Sequence, residues 1–325
     1  MLIIRADEHG GPEVLRPVDR PVPRPSAGQL LVDLAWSGVL SLDALLRRGA
    51  VPPTFEVQFP WTPGQGGAGV VIEVGQGIDD RWIGTRVLVD QPGSYTEQMI
   101  TTLDRVVPIP DEVDLDQAMA LLHDGSTAVG LLEAAVGDSA EQQTVAITPA
   151  AGGAGSVLVQ LAVRDGHRVI AIVGGAAKAE FVRSLGADAV VDHRQDGWLE
   201  RLRSERPTVL FDGVGGAGAA DLLNTVRPGG SYLNYGNAGG DFVSSEHSSP
   251  DGVRVIGGEI LSRLFDGRRE RQERILKLAA AGEVRAHIGA RFDLAAAADA
   301  HRALRERAVV GKALLDCRLG SAADG

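Results

Sequence analysis

The chain has 325 residues, enough for two domains that each bury a core. A net charge of −11 at pH 7 argues against nucleic acid or an anionic membrane as the main partner, and no apolar run approaches the roughly 18 residues that would span a bilayer. One cysteine, Cys317, excludes an internal disulfide and any zinc site built from several cysteines. No secretory leader is read at Met1-Leu2-Ile3-Ile4-Arg5, which is strand-like, so a cytoplasmic protein is expected.

Up to about Asp114 short strands alternate with Gly and Pro turns. Leu30–Trp36, Gly69–Val74 and Arg86–Val89 are rich in β-branched residues, which predicts a mainly-β domain over 1–115. A helix is predicted over Gln117–Ala135. Strand Thr144–Thr148, a helix ending at Arg164, strand His167–Val173 and helix Lys178–Leu185 follow. Ala189–Asp192, Val209–Phe211 and Ser231–Tyr235 are further strands. This alternation predicts an α/β, doubly wound parallel sheet over 116–255. The segment 240–252 is polar and loop-like, a surface connection or a flap. Helices at Arg269–Ala281 and Leu294–Arg305, a strand at Gly311–Asp316 and a frayed tail at 320–325 complete 256–325.

The run Pro149-Ala150-Ala151-Gly152-Gly153-Ala154-Gly155 lies between a strand and a helix. Glycines there let backbone approach a pyrophosphate, and the helix N-terminus offers free N–H groups and positive dipole charge. With a second strand following, the segment is a dinucleotide site candidate. An NAD site usually carries an acid at the end of that second strand. Here the strand ends in Val173-Gly174-Gly175, and Lys178 follows, one of three lysines in the chain. A cation there offsets a 2′-phosphate, which favours NADPH; Arg183 and Arg194 are close enough in sequence to share the role.

Several motifs in order resemble the medium-chain dehydrogenase/reductase superfamily, nearest its zinc-independent quinone oxidoreductase and enoyl reductase branch. They are Pro63-Gly64 with Gly67-Ala68-Gly69-Val70-Val71-Ile72-Glu73-Val74-Gly75, Gly84-Thr85-Arg86-Val87, Gly93-Ser94-Tyr95-Thr96-Glu97, Gly125-Ser126-Thr127-Ala128, the glycine turn, Leu185-Gly186-Ala187-Asp188 and Val310-Gly311-Lys312-Ala313-Leu314. The resemblance covers nearly the whole chain. It implies a GroES-like catalytic domain closed by 256–325, a Rossmann NADPH-binding domain over 116–255, and an active site in the cleft. It places Lys178 at the family's NADPH-phosphate lysine and His193 where relatives often have Tyr. The family's catalytic zinc ligands correspond to Leu40, Gln65 and His123, with Gly66 at the Glu, so no metal is expected. In the stretch 38–49, Leu40 and Leu45 replace the Asn and Tyr of the zinc-free quinone reductases. That wall of the cleft is therefore apolar.

A hydride acceptor must be held, its carbonyl polarised and a proton supplied. His123 titrates near neutrality and is a candidate proton donor; the alternative is a helix-start histidine bonded to backbone. Asp124 is a candidate to orient it, although a helix cap suits the residue better. Tyr95 points to the cleft or packs as a core aromatic, the latter favoured. Cofactor contacts are expected from Thr127, Ala151, Gly152, Gly153, Ala154, Gly155, Gly174, Lys178, His193 and Arg194. The strand ends Gly213-Val214 and Tyr235-Gly236-Asn237 complete the set. The expected activity is NADPH-dependent reduction of an activated C=C bond or quinone, on an apolar small-molecule enone or quinone for which the leucine-lined cleft suits a bulky skeleton, by a homodimer or homotetramer. The alternatives are a non-redox accessory or cyclase-like protein on the same fold, and a carbonyl reductase or alcohol dehydrogenase.

Overall fold

The structure, a computed structural model, describes residues 1–50, 57–137, 141–237, 239–240, 242–243 and 252–318. The elements run β1 (Leu2–Arg5), β2 (Arg16–Asp19), β3 (Gln29–Val39), α1 (Ser41–Arg48), β4 (Gly67–Val74), β5 (Arg86–Val89), β6 (Gln98–Thr102), β7 (Val106–Pro108) and α2 (Leu115–Ala135). Then come β8 (Thr144–Thr148), α3 (Gly153–Arg164), β9 (Arg168–Val173), α4 (Ala176–Ser184), β10 (Ala189–Asp192), α5 (Trp198–Ser204), β11 (Val209–Asp212), α6 (Ala219–Leu223), β12 (Ser231–Asn234) and β13 (Arg254–Ile256). The last are α7 (Ile260–Phe265), α8 (Arg268–Ala280), β14 (Ile288–Asp293), α9 (Ala297–Arg305) and β15 (Lys312–Asp316). No helix among the described residues is long and apolar enough to cross a membrane.

Two compact units result, Met1–Leu122 with His287–Gly325, and His123–Ala286. The sequence-based segment 256–325 is thus divided at His287. Helix α8 sits in the second unit because Ile275 packs on Gly125, and Glu133 pairs with Arg271 and Arg274 at 2.7 and 3.0 Å. The loop at 240–252 lies largely, and the tail at 320–325 wholly, outside the described residues.

In the second unit the strand order is β10-β9-β8-β11-β12-β13, every pair parallel. Central β8 is covered on both faces, so Val145, Ala146 and Ile147 form a continuous apolar run with no exposure. The register sets Thr148, Asp212 and Asn234 in one row, and the turns after β8, β11 and β12 emerge side by side. Helix α3 presses onto the turn before it. A Cβ on Gly155 would collide with the carbonyl of Pro149.

In the first unit β3 joins β15, β4 and β6 antiparallel, within the order β14-β15-β3-β4-β5-β7. Its core includes Leu30, Val32, Leu34, Val71, Val87, Tyr95, Leu315 and Cys317. Cys317 is 1% exposed, and burial pushes its thiol well up. Helix α1 is an addition to the mainly-β reading. It ends at Gly49, whose φ of +66° suits glycine, and is anchored from inside by Asp43.

Asp43 is fully buried. It accepts the N–H groups of Leu40 (3.0 Å) and Gly64 (3.2 Å), the Gln65 amide (3.3 Å) and the Tyr95 hydroxyl (3.4 Å). Tyr95 also meets His301 Nε2 at 3.1 Å, and Arg47 Nε donates to His301 Nδ1 at 3.3 Å. A guanidinium only donates, so the His301 proton lies on Nε2 and Tyr95 accepts it. Burial, then Arg47, pushes His301 down to about 3, which keeps it neutral. Burial dominates at Asp43 too and pushes its carboxyl up to about 6 against the lowering effect of its donors.

Two outcomes follow from this packing. Gly155→Ala should lower stability by about 1–3 kcal/mol through overpacking, read as a lower urea midpoint; an unchanged midpoint would mean that α3 moves off the turn freely. For Asp43 the folded carboxyl titrates above its unfolded value of 3.8, so its stabilising share is present below that value and lost as pH rises through about 6. The loss is on the order of 3 kcal/mol and should vanish in Asp43→Asn, measured as the change in urea midpoint from acid to neutral pH; equal changes in both proteins would refute it.

Candidate functional site

The turns at the carboxyl ends of β8, β9, β11 and β12 gather most of the expected cofactor residues. After β8, Ala151 is buried and Gly152, Gly153 and Ala154 are half-buried around the start of α3. The Gly152 N–H is bonded to the Pro149 carbonyl at 3.1 Å, which closes the turn. Gly155 gives the helix its close approach to that same carbonyl.

After β9, Gly174 and Gly175 lead into α4. Gly175 has φ +98°, and its N–H reaches Asp192 at 3.1 Å. Asp192 closes β10 and also accepts the Arg194 N–H at 3.0 Å. The Arg194 and Gly175 donors hold its carboxyl below the usual range. The acid absent from the end of β9 is therefore supplied by the neighbouring strand, bound to backbone N–H groups. Basic side chains flank the turn. A Cβ on Gly174 would lie 2.8 Å from His193 Nε2, and one on Gly175 would strike the Arg194 guanidinium. Lys178 stands half-buried in the first turn of α4. His193 and Arg194 are exposed, with His193 edge-on to Trp198 at 6.4 Å.

After β11 and β12 the backbones nearly touch. A Cβ on Gly213 would be 2.7 Å from the Tyr235 ring, and one on Gly236 would strike the Gly213 carbonyl. Val214 is held by Asp212, whose Oδ1 accepts the N–H groups of Val214 (2.8 Å) and Gly215 (3.1 Å) while Oδ2 takes the Tyr232 hydroxyl (2.5 Å). Asn234 ties the two turns together through the carbonyls of Asp212 (3.0 Å) and Gly236 (2.9 Å). Asn237 is half-buried, and its carbonyl takes the Gly240 N–H at 3.1 Å. Burial, then Asp212 and Asp124, pushes the Tyr235 phenol well up, so it stays protonated.

Three readings of single residues change. His123 and Asp124 are interior to α2, neither a helix start nor a cap. The Asp124 carboxylate lies against Gly153 at the start of α3, where the helix dipole favours an anion, while His123 Nδ1 meets the Arg268 guanidinium. Orientation of the imidazole thus falls to Arg268. Tyr95 is core, without exposure, and its hydroxyl is engaged by Asp43 and His301. Burial and Asp43 raise its phenol well above the ordinary value, so the hydroxyl stays protonated and committed to its core partners. Thr127 lies one turn beyond His123 on α2, half-buried.

Sequence reasoning missed Asp43, Asp192, Asn234 and Arg268, and placed Asp212 at its strand end without a role for its carboxylate. Asp192 and Asp212 had a signal, an acid closing a predicted parallel strand just before the ligand-bearing turn. Arg268 had none, standing 145 residues from its partner. As for a metal, Leu40 has no ligating atom, Gly66 no side chain, and the Gln65 amide is bonded to Asp43.

Residues 26–111 match the alcohol dehydrogenase GroES-like domain, and 185–315 match a zinc-binding dehydrogenase domain. A mycobacterial protein solved with NADPH is similar at 30% identity and TM-score 0.86, over 97% of this chain and 99% of that one. The Escherichia coli quinone oxidoreductase, solved with NADPH, gives TM-score 0.87 at 26% identity, over 97% and 100% of the two chains. The 2-haloacrylate reductase of a Burkholderia species is 28% identical, over 94% of this chain and 96% of its own length. On fold, motifs and these relatives, the chain belongs to the medium-chain dehydrogenase/reductase superfamily, in its quinone oxidoreductase-like branch.

Proposed function

We propose that this chain is an NADPH-dependent, zinc-independent reductase that passes hydride to an activated C=C bond or a quinone. One observation carries the cofactor choice: His193 and Arg194 lie against the Gly174-Gly175 turn and Lys178 is in the first turn of the helix that follows, while Asp192 is engaged by backbone N–H groups and by the Arg194 guanidinium at 3.5 Å. That charge set suits a 2′-phosphate. Glycines at 155, 213 and 236 let helix and turns pack tightly at the strand ends, where a dinucleotide is expected to lie. The names of the relatives, quinone oxidoreductase and 2-haloacrylate reductase, speak for electron-poor acceptors.

Bound NADPH supplies the hydride. The chain's own work is to hold it and to manage the substrate oxygen. Gly152, Gly153, Ala154 and Gly155 offer backbone to the pyrophosphate beside the start of α3. Lys178, His193 and Arg194 neutralise the 2′-phosphate. Gly213, Val214, Tyr235, Gly236 and Asn237 line the ribose and nicotinamide path, with Thr127 positioning the ring. His123, held at Nδ1 by Arg268, presents Nε2–H to the carbonyl oxygen and polarises it as a hydrogen-bond donor, and solvent supplies the proton. Zinc as a Lewis acid does not fit the donor chemistry at Leu40, Gln65 and Gly66. The acceptor is an apolar small-molecule enone or quinone, and a homodimer or homotetramer is the assembly expected of this family.

The reading predicts NADPH oxidation with a panel of enones and quinones that survives chelation and exceeds NADH oxidation. Loss of the rate on chelation would overturn the zinc-free part. Lys178→Ala should weaken NADPH by about tenfold or more, the value of one charge-assisted hydrogen bond, and leave NADH nearly unchanged. Fluorescence titration of both cofactors checks this; equal weakening removes Lys178 from the phosphate.

A further inference from the structure

Four donors reach Asp43 from three separate stretches of chain. Oδ2 takes the Leu40 N–H and the Tyr95 hydroxyl; Oδ1 takes the Gly64 N–H and the Gln65 amide. The direction of these bonds is fixed from behind. Arg47 donates to His301, His301 to Tyr95, and Tyr95 to Asp43, so every group in the line spends its donor toward the carboxylate. A carboxylate accepts only, and therefore Gln65 must present Nε2–H to it.

That settles the orientation of the Gln65 carboxamide. Its nitrogen is held, and its carbonyl oxygen Oε1 is turned away from Asp43. Gln65 is half-buried, and Asp43 is its one hydrogen-bond partner among the described residues. Leu40, half-buried, is tied to the same carboxylate through its N–H. The result is an apolar side chain and one fixed acceptor, both referenced to a single buried anion.

An acceptor does not polarise a carbonyl, so Oε1 has no use for the reacting oxygen of an enone. It suits a donor substituent. We propose that Gln65 is a specificity determinant that accepts a hydrogen bond from a hydroxyl or amide N–H on the substrate, and that Asp43 is its positioning residue. This rests on the reading that substrate lies along the 38–49 segment of a reductase.

The test compares two probes, cyclohexenone and its γ-hydroxylated form, binding to the whole protein with NADP⁺ present, by calorimetry. The wild type should favour the hydroxylated enone by roughly tenfold, the value of one hydrogen bond. Gln65→Leu should bring that ratio to about one. Asp43→Asn frees the amide to turn over and should also abolish the preference, whereas a purely structural loss would weaken both enones together. The NADPH Kd serves as the control for folding. A ratio near one in the wild type, a ratio kept in Gln65→Leu, or no binding of either enone overturns the proposal. Failure of the reductase reading shows separately, as absence of NADPH oxidation while the binding ratio still decides the role of Gln65.

Discussion

A carboxylate taken out of water is tolerated only when donors surround it. Each unit of this chain is organised about one such group. In the first, Asp43 gathers Leu40, Gly64, Gln65 and Tyr95, and so fixes where α1 begins and how the 64–66 turn lies. In the second, Asp212 gathers Val214, Gly215 and Tyr232, and so shapes the turn after β11. Both are without exposure. Removing either would leave donors stranded in the interior, which costs more than the bonds themselves contribute.

These anions act on backbone more than on ligands. Asp212 spends one oxygen on two successive N–H groups, and Asn234 bridges the carbonyls on either side. The turns after β11 and β12 are thereby set so close that glycine is needed at 213 and 236. Asp192 does the same for the β9 turn through Gly175. A nucleotide meeting these turns finds surfaces already arranged, so little ordering remains to oppose binding.

How much of this was legible follows from the range of the interactions. The parallel sheet was, because its strands are continuous apolar runs such as Val145-Ala146-Ile147, and the glycine turn was, because strand, turn and helix are contiguous. Helix α1 was not. Its eight residues are held by Asp43 contacts to Gly64 and Tyr95, 21 and 52 positions away, which no local pattern encodes. Tyr95 drew attention as a polar aromatic near a family motif, yet its hydroxyl closes a buried line to His301, 206 positions on. His123 and Asp124 are adjacent in sequence and serve different partners, because neighbours on a helix point about 100° apart.

Cys317 is the one thiol of the chain, 1% exposed at the end of β15, with burial pushing it toward the protonated form. The thiolate, not the thiol, is the soft nucleophile. Electron-poor alkenes and quinones are Michael acceptors that alkylate accessible thiolates. With its one sulfhydryl sealed in a β-sheet core, this chain offers electrophiles of that kind no accessible thiolate to alkylate.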